Sequence, residues 1–264
     1  MQLADIKLIG VVGGGVMGGG IGQAFAQGGY RVIIREINDE MAEKTRHVIE
    51  DGRWGIKAAL QRGKLTAEQA EAAMQGISYS TRLEDLADCD FVVEAIPEKL
   101  DLKQSEFIKI DRAVKPAAIL ATNTSGFPMV DVAVNIADTR RPRFIGTHWF
   151  SPAMVMKVVE VVVAPFTAEE TFQTVMALHE RIGKVPVRVK DAPGTYGFVG
   201  NRVYFAAVQE AEKVINEGLC TPEDLDKVMT LGYGWPVGPY AMIQGARGGW
   251  GERAPEESTL PQRS

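Results

Sequence analysis

Short apolar runs alternate with amphipathic stretches through the first two thirds of this chain. The run "KLIGVV" leads into the helical pattern "GGGIGQAFAQGG", and "YRVIIRE" follows. The spacing predicts a long polar helix over 38–62 and a second helix in "TAEQAEAAMQG". "DFVVEAI" and "AAILATN" are apolar runs that end in polar residues, and "RFIGTHW", "MKVVEVVV" and "VPVRV" complete the series. "TAEETFQTVMALHERIG" reads as an amphipathic helix with Thr167 as its N-cap. Strands alternating with helices argue for an α/β fold, a mostly parallel sheet covered on both faces.

Near 190 the pattern changes. "KDAPGTYG" is a Pro/Gly-containing linker, and "FVGNRVYFAAVQEAEKVINEG" and "TPEDLDKVMTLG" after it read as helices. The expected organisation is therefore a first domain over 1–190 and a small all-α domain over 191–244. A tail over 245–264, rich in Gly, Arg, Pro and Ser, reads as disordered. A helical domain that stops at two helices has little to pack against, so it reads as truncated.

The first apolar run ends in Gly13-x-Gly15-x-x-Gly18. That spacing alone says little in a chain with 28 glycines. Here it follows a strand, opens a helix, and is succeeded by a second strand that ends in an acid, Glu36. Gly13 permits the tight turn, Gly15 lets a pyrophosphate approach the backbone, and Gly18 lets the helix pack close to the strand. The helix N-terminus offers free N–H groups and the positive end of its dipole to phosphates. Glu36 can accept hydrogen bonds from ribose hydroxyls and favours NAD over NADP, whereas the adjacent Arg35 could accommodate a 2′-phosphate. The pattern is that of a doubly wound, Rossmann-type dinucleotide-binding domain.

Composition removes other classes. Over 264 residues the net charge is -5, with no basic block, which argues against nucleic-acid or anionic-membrane partners. No apolar run approaches the length of a membrane span, and the N-terminus lacks the basic leader of a signal peptide. Cys89 and Cys220 are far apart in sequence, which excludes a cysteine-rich metal site or disulfide framework and suits a reducing compartment such as the cytoplasm.

His148 is one of three histidines. A lone histidine is more often a surface or satisfied core residue, but Glu160 stands twelve residues later inside "VVEVVV". Burying an unpaired carboxylate costs several kcal/mol, so a buried one needs a partner. Neighbouring strands would bring His148 to it. A carboxylate on one imidazole nitrogen fixes the tautomer and leaves the other nitrogen to take a proton, as a general base in alcohol oxidation must. The alternative is an edge strand with Glu160 in solvent. Asn123 and Ser125 lie beyond "AAILA", where open α/β sheets bind ligands, although Ser, Thr and Asn also make ordinary turns. Glu98 and Lys103 follow another strand, and Asn201 opens a helix of the second domain.

At these residues the chain resembles the L-3-hydroxyacyl-CoA dehydrogenase family, which includes 3-hydroxybutyryl-CoA dehydrogenases. The resemblance rests on "GGGVMGGGIGQAFAQGGYRV", "TNTS", "GTHWFSPAMVMKVVEVV", "GFVGNR" and "GWPVGPYAM", in family order, and covers 5–243. The "FSPA" and "YGFVGNR" wording is closer to the dehydrogenase part of multifunctional fatty-acid oxidation enzymes. The resemblance implies oxidation of a (3S)-3-hydroxyacyl-CoA to a 3-ketoacyl-CoA with hydride transfer to NAD, or the reverse. It implies that His148 is the general base, that Glu160 orients it, and that Ser125 and Asn201 hold the substrate hydroxyl or thioester oxygen. It also implies cofactor contacts from Gly13, Gly14, Gly15, Val16, Met17, Gly18, Glu36, Ala95, Glu98, Lys103, Ser125 and Ser151. Ser151 stands where many single-function members have Asn. Arg53, Lys57, Arg62 and Lys64 lie where the family meets the CoA nucleotide, although such a run also makes an ordinary solvated helix face. The chemistry serves fatty-acid oxidation, butanoate metabolism and aromatic-ring degradation alike.

The resemblance stops after "GPYAMI", where the family continues into further helices and, usually, a homodimer interface. That departure leaves a second reading open: an NAD- or CoA-binding relative, catalytically impaired by an incomplete C-terminal domain. A third reading, a dehydrogenase of free hydroxy acids, would need a lysine base in place of the His–Glu pair.

Overall fold

The computed structural model describes residues 1–247. The chain divides after Phe198 into two compact units. In the first, eight strands form one sheet: β1 (Leu8–Val12), β2 (Arg31–Arg35), β3 (Ile77–Ser80), β4 (Phe91–Glu94), β5 (Ile119–Thr122), β6 (Phe144–Trp149), β7 (Val158–Val163) and β8 (Val185–Lys190). The helices between them are α1 (Val16–Gln27), α2 (Asp39–Asp51), α3 (Ile56–Gln61), α4 (Ala67–Gln75), α5 (Leu100–Ala113), α6 (Met129–Val132) and α7 (Glu169–Arg181).

The sheet order is β3-β2-β1-β4-β5-β6-β7-β8, and the neighbours are parallel except β6 and β7. The order reverses between β1 and β4, so α1 and α5 leave opposite sides of a crevice at the carboxyl ends of those strands. Alternate residues build two cores. Val11, Phe91, Ile119 and Val161 join Ile21 and Phe25 of α1 and Leu178 of α7 on one face. Val12, Val92, Leu120 and Val162 join Phe107 and Ile110 of α5 on the other. Strands buried on both faces read as continuous apolar runs, which is why their positions are visible in the sequence.

Several expectations need correction. The helix expected over 38–62 is two helices. Asn38 caps α2 by accepting the Met41 N–H at 2.8 Å, and the chain turns back at Gly52 and Gly55 before α3. A Cβ at Gly52 would lie 2.4 Å from the Val48 carbonyl oxygen, so this turn requires glycine. Thr167 is not the cap of α7. Ala168 takes that position, while the Thr167 hydroxyl donates to the Phe144 carbonyl at 2.8 Å. The strand reading also misses β3, whose sequence "ISYS" buries Ile77 but has no apolar run.

The second unit contains α8 (Val199–Asn216), α9 (Pro222–Lys227) and α10 (Pro239–Arg247). Thr221 caps α9 through the Asp224 N–H, and the helix expected to run through "VMTLG" changes there to a wider π turn over Val228–Gly232. Residues Asp191–Phe198, expected to open the second domain, stay with the first unit. Asp191 accepts the Met129 N–H at 3.0 Å, and Gly197 donates to the Gly126 carbonyl at 3.0 Å. The expected disordered tail lies outside the described residues beyond Arg247.

Candidate active site

The glycine-rich turn leaves β1 at Gly13, whose φ of +91° suits glycine. Its N–H donates to the Arg35 carbonyl at 2.9 Å, which ties the turn to β2. A Cβ at Gly18 would stand 1.8 Å from the Gly13 oxygen, so α1 packs on the turn only with glycine there. Gly15 is the N-cap of α1 and makes no side-chain cap, and nothing lies within 4 Å of where its Cβ would be. Val16 is exposed and Met17 half-buried at the start of the helix. An uncapped helix N-terminus with bare backbone in front of it and no acid in its first turn is built to receive an anion.

Glu36 is buried beside the turn. One carboxylate oxygen accepts the Gly14 N–H at 2.7 Å and the Thr45 hydroxyl at 3.3 Å, and the other accepts the Ile37 N–H at 3.2 Å. Arg35 points elsewhere, with its guanidinium 3.1 Å from Glu106 of α5. The open backbone at Gly15 and the carboxylate at Glu36 fit the diphosphate and ribose of a dinucleotide, and Arg35 is committed away from a 2′-phosphate.

At the ends of β4 and β5 a buried cluster supports the next part of the site. Lys103 is 1% exposed and donates to Glu94 at 2.7 Å, with Glu98 at 3.2 Å. Glu94 also accepts the Thr122 hydroxyl at 2.7 Å and the Ile96 N–H at 2.8 Å. Burial pushes the Glu94 carboxyl up from its ordinary value, and the Lys103 ammonium opposes that shift. Glu98 accepts the Thr124 hydroxyl and the Ser125 N–H, the latter at 2.8 Å, and so fixes the loop that presents Ser125. Lys103 is thus turned inward onto two carboxylates, where it organises Glu98. Ala95 lies directly under the turn: its N–H donates to the Val12 carbonyl, and its own oxygen is 2.9 Å from where a Gly13 Cβ would be.

His148 is the penultimate residue of β6 and pairs in register with Glu160 of β7. The imidazole Nδ1 and the Glu160 carboxylate are 2.7 Å apart, and both residues are buried. A carboxylate only accepts, so Nδ1 carries the proton and Nε2 is the nitrogen left to exchange one. The rings of Phe150 and Phe198 flank the imidazole at 4.9 Å and 5.8 Å between centroids. Asn123 accepts the Trp149 N–H at 2.9 Å, joining the loop after β5 to the end of β6. The buried Ser151 hydroxyl has no hydrogen-bond partner among the described residues, as suits a group that meets a bound molecule. Gly13, Ala95, Ser125 and His148 all lie at the carboxyl ends of parallel strands, along one margin of the sheet.

Asn201 and the charged residues expected at the CoA nucleotide belong to other elements. Asn201 stands in the first turn of α8, in the second unit. Lys57 is engaged by Asp51 at 2.7 Å and Glu50 at 3.7 Å, whereas Arg53 and Arg62 lie over the Trp54 ring at 5.3 Å and 4.9 Å. Lys64 is exposed. The Glu94–Lys103 pair and Trp54 escaped the sequence reading. Glu94 carried the signal that revealed Glu160, a carboxylate inside an apolar run, in "DFVVEAI".

Comparison with known proteins decides what this arrangement belongs to. The profile "3-hydroxyacyl-CoA dehydrogenase, NAD binding domain" matches residues 8–192, and that of the family's C-terminal domain matches 197–258. The chain belongs to the 3-hydroxyacyl-CoA dehydrogenase family. The family's NAD-binding domain is the sheet described above. A Bacillus subtilis relative named "Probable 3-hydroxybutyryl-CoA dehydrogenase" is 41% identical over 239 residues, covering 90% of this chain and 80% of its own. The rat mitochondrial hydroxyacyl-coenzyme A dehydrogenase is 35% identical over 241 residues, covering 90% and 75%. The crystal structure of a Ralstonia eutropha (S)-3-hydroxybutyryl-CoA dehydrogenase superposes with a TM-score of 0.84 at 36% identity, covering 91% of this chain and 82% of that one. The match to the family's C-terminal domain removes the support for a relative impaired by an incomplete domain. No helix among the described residues is long and apolar enough to cross a membrane.

Proposed function

We propose that this chain oxidises the C3 hydroxyl of a (3S)-3-hydroxyacyl-CoA to the ketone, or reduces the ketone in reverse, with NAD as its cofactor and His148 as general base. The observation that carries the reading is the buried His148–Glu160 pair at the sheet margin that also holds the glycine turn. Oxidation of an alcohol moves a proton from oxygen and a hydride from carbon, and bound NAD supplies the hydride acceptor. Nε2 of His148 takes the hydroxyl proton. Glu160 stabilises the imidazolium that forms and holds the ring in one tautomer. Ser125 fixes the substrate oxygen, a positioning role that sets the C3 hydrogen toward the acceptor, and the family resemblance assigns the same role to Asn201. Gly13, Gly14, Gly15, Val16, Met17 and Gly18 bind the diphosphate, Glu36 binds the ribose, and Ala95, Glu98 and Ser151 contact the rest of the cofactor. Lys103 acts through Glu98. Arg53 and Lys64 supply positive charge for the CoA nucleotide, with a smaller share from Lys57 because its acids occupy it. The unpaired thiols Cys89 and Cys220 are in keeping with a reducing compartment such as the cytoplasm.

The test is oxidation of NADH by the purified chain with acetoacetyl-CoA, followed by absorbance, beside His148→Ala. Consumption in the parent and its loss in the variant are the expected results. A parent that binds NADH but consumes none would overturn the reading.

A further inference from the structure

Lys184 lies outside the site described above, just after α7, and its side chain is 8% exposed. Its ammonium donates to the carbonyl of Ala153 at 2.7 Å and to that of Met156 at 2.8 Å, and it stands 5.2 Å from the centre of the Trp149 ring. Both carbonyls belong to the loop 150–157, which joins the strand carrying His148 to the strand carrying Glu160 and contains Ser151. The same loop also rests on α1. A Cβ at Gly20 would lie 3.2 Å from Ala153 Cβ and 3.1 Å from the end of Met154. The Lys157 carbonyl, at the far end of the loop, accepts the Val185 N–H at 2.8 Å. The loop is therefore held both by α1 and by the segment Lys184–Val185.

We propose that Lys184 is a positioning residue for the dehydrogenase reaction, its ammonium holding loop 150–157 so that Ser151 and the His148–Glu160 hairpin keep their places against α1. This rests on the function proposed above. Ala153 is fully buried. Without the ammonium its carbonyl loses its partner, and the loop must open toward water to satisfy it. A shift of about 1 Å at reacting groups costs about a hundredfold in rate. No part of Lys184 needs to touch substrate or cofactor for this.

Lys184 also lines a cleft of about 320 Å³ with Gly28, Met154, Arg181 and Ile182, which makes chemical replacement of its amine practicable. In Lys184→Ala, turnover of acetoacetyl-CoA at saturating NADH is expected to fall about 10- to 100-fold. n-Propylammonium chloride should restore part of that loss, and n-propanol, of the same shape and no charge, should not. Lys184→Arg, which keeps a cation with donors, should melt like the parent and retain most turnover. Parent-like turnover in Lys184→Ala overturns the proposal. So does equal rescue by amine and alcohol, which would mean that the ammonium charge does not hold the loop. If Lys184→Ala does not fold, a folded Lys184→Arg that has lost turnover overturns it, and one that retains turnover supports it. Failure of the parent to turn over would count against the dehydrogenase reading, whereas an active parent with an indifferent Lys184 counts against this proposal alone.

Discussion

Replacing Glu160 with Gln isolates the charge of the proposed catalytic pair. The amide still offers His148 Nδ1 an acceptor at the position where the carboxylate stands, 2.7 Å away, and it keeps the side-chain volume. The variant loses the negative charge that stabilises the imidazolium at the moment of proton transfer. The centres of the two charged groups are about 4 Å apart, and at an effective dielectric constant of about 20 their attraction is about 4 kcal/mol. With both residues below a tenth exposed, solvent screens little of it. If most of that attraction is realised only as the proton moves, turnover falls about a thousandfold. The cofactor turn lies across β4 and β5 from the pair, so NADH binding is expected to stay within about twofold of the parent. The assay is turnover at saturating NADH and acetoacetyl-CoA, with binding read separately by NADH fluorescence and folding by thermal melting. A folded Glu160→Gln that turns over within about threefold of the parent would refute the pairing argument, because the predicted energy could not then reside in the charge.

Three other substitutions test separate parts of the structure. Gly15→Ala places a methyl in open space and should melt like the parent while losing at least about tenfold in NADH affinity. Gly18→Ala drives a methyl onto the Gly13 oxygen and should lower the melting temperature as well. Equal melting of the two variants would contradict the assigned roles. His179 is fully buried among Phe25, Phe91 and Trp149, and burial draws its imidazole down to about 4 from an ordinary 6.5. Between those values the unfolded chain binds a proton that the fold excludes, so stability should fall as pH drops through that window. The full loss is about 3 kcal/mol. Urea melts across the window should show the slope in the parent and not in His179→Phe; a slope unchanged in the variant would assign it to other groups.

The legible and illegible parts of this fold differ for physical reasons. "KLIGVV", "DFVVEAI", "AAILATN" and "RFIGTHW" announce themselves because strands covered on both faces must be apolar throughout. β3 is silent because an edge strand recruited by β2 alone needs only Ile77 in the core. The break between α2 and α3 is written in Gly52 and Gly55, but glycine also occurs within α1, so composition alone does not separate a turn from a close approach. The antiparallel β6–β7 pair was accessible: a parallel return needs a crossover of a dozen or more residues, and 150–157 is too short for one. Lys103 looks from sequence like a cofactor contact and is in fact held by Glu94, because spacing along a helix does not reveal which buried acid claims the ammonium.

That antiparallel pair is what makes a buried carboxylate tolerable. Residues directly opposite in such a pair place their Cβ atoms about 5 Å apart on one face, close enough for a carboxylate to meet an imidazole without further scaffolding. His148 and Glu160 share the face of Phe144 and Val162. A slip of one residue would send Glu160 to the other face, among Phe25, Trp149 and Val161, where it would face an aromatic and aliphatic core. The energetic cost of that misplacement is the desolvation of a charge, several kcal/mol, so the acid that serves His148 also enforces the register that delivers it. Glu94 follows the same logic on β4, two strands from His148. It sits on that same face, opposite Thr122, and is neutralised by Lys103 rather than by a histidine. The two buried acids differ in what they are given to hold. The paired ammonium makes Glu94 a fixed strut for Glu98 and the Ser125 loop. In the proposed reaction the imidazole changes charge, and there Glu160 takes part in the chemistry.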